Sequence, residues 1–143
     1  MRILPLVLSL LSFNASLSAT PITSIDGQEQ ELTELLLPPA TLLLTVRDHD
    51  DLPDAQRLLT LAAANDQTTI ILIELPGRTL DAIAIRRAAK RYFQSDLTRP
   101  HTYFIEADNH PYPEFKTLLL SPVEPSPLFA SKSYPEELPS VEK

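Results

Sequence analysis

Asp48, His49, Asp50, Asp51 and Asp54 are the densest group of chemistry-bearing side chains, and a second histidine, His101, follows Arg99 and Pro100. Carboxylates with imidazole are a donor set for a hard or borderline metal ion. The same groups can divide acid and base roles in a hydrolysis. The spacing supports neither strongly: no diagnostic ligand motif is present, and no nucleophile elbow or oxyanion loop accompanies the cluster. A plainer reading is electrostatic. Asp51 stands where a helix N-cap belongs, Asp54 falls in the first turn, and both suit the positive end of a helix dipole. These residues are therefore read as a binding surface with no catalytic residue, metal or cofactor. Metal handling by His49, His101 and the aspartates is the alternative.

Several chemistries are excluded by what the chain lacks. There is no cysteine in 143 residues, which removes disulfides, thiol redox catalysis, cysteine nucleophiles and cysteine-held zinc or iron–sulfur clusters. Two glycines are too few for a phosphate-cradling loop. The net charge is −7, so nucleic acid is a poor partner. One basic cluster, Arg86, Arg87, Lys90 and Arg91, interrupts this acidity. It suits an acidic partner or lipid headgroups, although a solvated helix face is the simpler account.

The elements that would hold these residues follow from the apolar pattern. Residues 1–19 read as a secretory signal peptide: Arg2, an apolar stretch from Ile3 to Phe13, then small residues around Ala19. Its apolar run falls short of the roughly 20 residues of a membrane span. An uncleaved anchor is the competing reading, and no cysteine follows to carry a lipid. Asp26-Gly27 marks a turn, and Leu32, Leu35 and Leu36 allow a turn or two of helix before Pro38-Pro39. Thr41 to Val46 and Thr69 to Leu75 lack polar alternation, as strands covered on both faces do. Between them, Leu52 to Asn65 is predicted helical, with Pro53 in its first turn. A second helix is predicted from Thr79 to Gln94, a third strand from Thr102, and a last strand or short helix within Glu114 to Leu120. Residues 121–143 carry five prolines and read as an irregular tail. Strand, helix, strand, helix, strand implies a small α/β domain with a parallel or mixed sheet.

In this order, Ser24-Ile25-Asp26-Gly27, Glu31 to Leu35, the strand Thr41 to Val46 and the proline-led strand Pro100 to Asn109 resemble the thioredoxin-like superfamily, in its periplasmic redoxin branch. The resemblance spans about Ile25 to Asp108 and implies a three-layer sandwich, a central mixed sheet with helices on both faces, over residues 20–120. It further implies a cis Arg99–Pro100 bond facing the first long helix, and His101 close to the aspartate cluster. The family's Cys-x-x-Cys stands at the start of that helix; here the place reads Asp51-Leu52-Pro53-Asp54. The chain thus resembles a degenerate redoxin lacking all cysteines. The functional expectation is a periplasmic or secreted, non-catalytic accessory protein that binds a polypeptide through Asp48, His49, Asp51, Asp54, Arg99, Pro100 and His101. A cell-envelope assembly component, held by the basic helix and the tail, is a further alternative. No stable membrane span is expected after signal cleavage.

Overall fold

The computed structural model describes residues 20–77, 79–92, 101–124 and 126–139. The chain enters through a hairpin of β1 (Pro21–Ser24) and β2 (Glu29–Glu31). Its turn depends on Gly27, whose φ of +94° lies where a Cβ is disfavoured. A 3-10 turn, Leu32–Leu35, ends before the cis Pro38–Pro39 peptide, and β3 (Thr41–Val46) follows with all six residues buried. Helix α1 (Leu52–Ala64) buries Ala55, Leu58, Leu59 and Ala62, the i, i+3, i+4, i+7 stripe of an amphipathic helix. It stops where Asp66 turns left-handed (φ +55°) and the Gln67 N–H donates back to the Ala62 carbonyl at 2.8 Å. Then come β4 (Thr69–Leu75), α2 (Thr79–Tyr92), β5 (Thr102–Glu106), β6 (Thr117–Leu120) and β7 (Phe129–Ser131).

The strands form one mixed sheet in the order β2-β1-β5-β4-β3-β6-β7. At its centre β3, β4 and β5 are parallel, as the two strand-helix-strand units require, and the other strands join antiparallel. Alternation along the buried strands divides the core in two. Leu42, Leu44, Ile71, Ile73 and Phe104 face α1 and α2, while Leu43, Ile70, Leu72 and Ile105 face the other way. Both α-helices lie on the first face, as successive crossovers of one hand demand. The second face is closed by Leu32 and Leu36 of the amino-terminal turn and by Tyr112 and Phe115 of the loop before β6. The three layers are therefore asymmetric, with helices on one side and 3-10 turns and loop on the other.

The proline-rich segment is irregular over most of its described length, but it does not hang loose. It forms β7 against β6, and beyond it Tyr134 and Leu138 pack on the helical side of the core. Arg57 of α1 holds it by donating to the carbonyls of Pro135 (3.1 Å) and Glu136 (3.2 Å). Prolines prevent ladder formation without preventing burial. The tail covers apolar surface that the two helices leave open.

Helix α2 is more weakly seated than α1. Ala89 is its buried residue, with Ala82, Ile85 and Arg86 half-buried. It reaches from the Leu75 and Glu106 ends of β4 and β5, beside Ala82 and Arg86, to the β3 side, where Ala89 and Tyr92 stand across from Asp48 and Leu52.

Candidate functional site

The aspartate cluster sits where β3 ends and α1 begins. Asp48, rather than Asp51, opens the helical segment: its Oδ1 accepts from the Asp50 N–H at 3.3 Å, starting a 3-10 turn (His49–Asp51) that runs into α1. Asp51 makes no forward cap, contrary to its predicted role. Its carboxylate reaches backward, with Oδ2 accepting from the backbone N–H of Arg47 (3.0 Å) and Asp48 (3.1 Å). Oδ1 takes the Lys116 ammonium at 2.8 Å. At 6% exposure a carboxylate left without such partners would carry a large desolvation cost. Both its oxygens are used in holding the chain reversal. Replacing Asp51 with Ala removes the charge and two acceptors together, and urea unfolding should show a loss of about 2–3 kcal/mol. Lys116→Met should cost less, about 1 kcal/mol, because the ammonium is partly solvated. Equal costs would mean that the ion pair, not the backbone contacts, carries the effect.

Beside it lies a second polar group that the sequence did not single out. Arg47 donates from Nε to Glu74 Oε2 on β4 (2.9 Å) and from Nη2 to the Phe115 carbonyl (2.9 Å). His110 is buried under the end of β3. The Tyr112 N–H donates to its Nδ1 at 3.0 Å, which leaves the proton on Nε2 to be given to Thr45 Oγ1 at 2.9 Å. Burial first, and then the Arg47 charge, lower the His110 pKa from 6.5 to about 4, so the ring is neutral. Its 4.0 Å approach to Glu74 is accordingly not an ion pair at neutral pH. From the tail, the Tyr134 hydroxyl donates to the Thr45 carbonyl, and the Lys116 ammonium lies 5.6 Å from the centre of the Tyr134 ring. Burial, then the neighbouring Asp51 charge, raise the Tyr134 pKa.

The expected surface is not assembled as a unit. Asp48, His49, Asp51 and Asp54 are together, but Asp54 makes only an exposed pair with Arg57 (3.3 Å), of small energetic worth. His101 is elsewhere. Its Nδ1 lies 3.1 Å from the carbonyl of Thr69, the first residue of β4, whereas the cluster adjoins the opposite end of that strand. The five residues from Thr69 to Glu74 put about 16 Å between them. The expectation that His101 joins the aspartates is thus overturned, because β5 adds parallel beside β4 and starts at the far edge of the sheet. Arg99, Pro100 and the expected cis bond lie outside the described residues. The segment that does face the start of α1 is Phe115-Lys116, leading into β6, which runs antiparallel to β3. Among the described residues, no three His, Asp or Glu side chains come close enough to hold a metal ion.

An open, mainly apolar cleft of about 190 Å³ adjoins the cluster, between the start of α1 and the inner side of α2. Val46, Leu52, Ile73, Ile85 and Ala89 contribute its apolar wall, and Arg47, Asp48, His49 and Glu74 its polar one. It lies beyond the carboxyl ends of β3 and β4, the side of an α/β sheet on which ligands are usually received. Arg47 and Glu74 are joined to each other, and the exposed polar side chains of the lining are Asp48, His49 and Tyr92.

The mixed sheet and its two crossover helices make a thioredoxin-like fold, in a chain that has no cysteine. The sequence matches no protein-family model and no curated protein sequence. The structure is similar to that of the pneumococcal exposed lipoprotein thioredoxin Etrx1 from Streptococcus pneumoniae strain TIGR4. The TM-score is 0.53 and the identity 12%, over 81% of this chain and 90% of that one. A secreted Mycobacterium tuberculosis disulfide oxidoreductase, described as homologous to DsbE of E. coli, aligns at 13% identity over 68% of this chain and 67% of its own, with a TM-score of 0.41. At such identities the likeness to Etrx1 speaks for the fold alone.

Proposed function

We propose that this chain is a non-catalytic, extracytoplasmic accessory protein whose thioredoxin-like domain holds a segment of a partner polypeptide at the cleft between α1 and α2. One juxtaposition carries this reading: an accessible apolar cleft adjoins a helix start whose buried carboxylate is fully engaged in structure. An apolar anchor residue would enter between Leu52, Ile73 and Ile85, and a basic or amide neighbour would meet Asp48 and His49. The absence of cysteine removes thiol catalysis from the same fold. Export is supported by the signal-like residues 1–19 and by a structural neighbour described as an exposed lipoprotein. No helix among the described residues is long and apolar enough to cross a membrane.

Selection of displayed peptides on the intact protein tests this directly. Enriched peptides should share one bulky apolar residue beside a Lys, Arg or Asn, and Ala88→Trp, which fills the cleft from α2, should weaken them at least tenfold with the fold intact by circular dichroism. Peptides that bind the Ala88→Trp variant as well as the parent would exclude the cleft as the binding surface.

A further inference from the structure

The outward side of α2 presents a surface that neither the fold nor the cleft uses. Leu80, Ile83, Ala84, Arg87, Lys90 and Arg91 recur at the spacing of one helical face, and all are exposed. Leu80 is 80% exposed and Ile83 44%, among the most exposed large apolar side chains of the described chain. Arg86 differs from its basic neighbours: it is half-buried, its guanidinium 5.3 Å from the centre of the Phe104 ring, and belongs to the fold. Arg87, Lys90 and Arg91 make no ion pair among the described residues, although the chain carries 19 acidic residues. The positive charge is therefore segregated on one helix face, with two protruding apolar side chains at its amino-terminal end.

We propose that this face of α2 docks the protein on an anionic lipid surface. The cations supply the attraction and Leu80 with Ile83 the shallow insertion, the division of labour of interfacial amphipathic helices. Its shape favours a flat lipid surface over an acidic protein. Leu80, Arg87, Lys90 and Arg91 line neither cleft and stand out from the helix, and Ile83 only borders the shallow cleft over Leu75 and Glu106, so the face offers no recess for a partner's side chain. The acidic remainder of the molecule does not prevent docking, since charges on remote faces lie beyond the roughly 8 Å Debye length at physiological salt.

The intact protein should co-sediment with vesicles of three parts phosphatidylglycerol to seven of phosphatidylcholine more strongly than with phosphatidylcholine alone, and the difference should vanish at 0.5 M NaCl. Residues 1–19 are apolar apart from Arg2 and are the same in parent and variants, so the readout is the change between them in the ratio of binding to the two vesicle types. Each surface cation is worth about fivefold in binding, so the combined R87Q, K90Q and R91Q variant should reduce the ratio by about a hundredfold. L80S with I83S should weaken binding about tenfold while the salt dependence persists. Circular dichroism on each variant separates loss of binding from loss of the helix. Equal sedimentation with both vesicle types, or a triple variant that binds like the parent, would overturn the proposal. So would retention on immobilised polyglutamate through the same three cations without vesicle binding, which would assign the face to an acidic polypeptide.

Discussion

A chain ending at Ser131 is expected to unfold at markedly lower denaturant concentration than the full chain, with a loss of about 4 kcal/mol. Truncation removes Tyr134 and Leu138 from the helical side of the core and releases the two carbonyls held by Arg57. Deleting a large aromatic side chain from a core costs about 3–5 kcal/mol when burial is complete, and the partial burial here places Tyr134→Ala near the lower bound. Tyr134→Phe isolates the hydroxyl bond to Thr45 and should cost about 1 kcal/mol. Against a typical total of about 5–15 kcal/mol, the truncation consumes a large share of the stability. An unchanged unfolding curve would mean that the tail is a passive extension of a domain already complete at β7. Should the truncated chain fail to accumulate, the two Tyr134 variants still discriminate: a negligible cost for Tyr134→Ala would dismiss the packing argument.

The buried strands and α1 were legible because local pattern determines them. Thr41–Val46 and Thr69–Leu75 are apolar on both faces, and Pro53, with the apolar positions of α1, locates a helix. The site was legible only in part, because its partners are joined by strand order and not by sequence proximity. Asp51 meets Lys116 and Thr45 meets His110 across 65 residues each. A proline before an apolar strand reads alike whether that strand adds parallel beside β4 or antiparallel beside β3. Pro100 with Thr102–Glu106 and Pro113 with Thr117–Leu120 both fit the description, and pairing alone decides that the second faces α1. The tail is irregular over most of its described length, as its prolines imply, but its burial was not legible from them. Proline content reports on hydrogen-bonding capacity, whereas Tyr134 and Leu138 report on burial, and in a short extended segment the second property governs.

Acid should destabilise this protein through His110 in a manner that one substitution can isolate. The ring accepts a proton near pH 6.5 in the unfolded chain but only near pH 4 in the fold. The unfolded state therefore takes up the proton first as pH falls. Stability is full above about pH 6.5, declines through the interval below it and reaches its new level below about pH 4, for a total of about 3 kcal/mol. The cause is first the burial of the ring, which disfavours its charged form, and then like-charge repulsion from Arg47, which the nearby Glu74 carboxylate, itself bound to Arg47, only partly offsets. Nδ1 moreover already accepts the Tyr112 N–H, so protonation there sets two donors against each other. Urea unfolding at pH 7 and pH 4.5 should show His110→Gln losing about 2–3 kcal/mol less than the parent across that interval, whatever the carboxylates contribute to both. Parallel losses in the two proteins would mean that His110 is protonated in the fold without penalty, and that its hydrogen bonds to Tyr112 and Thr45 do not fix the neutral ring.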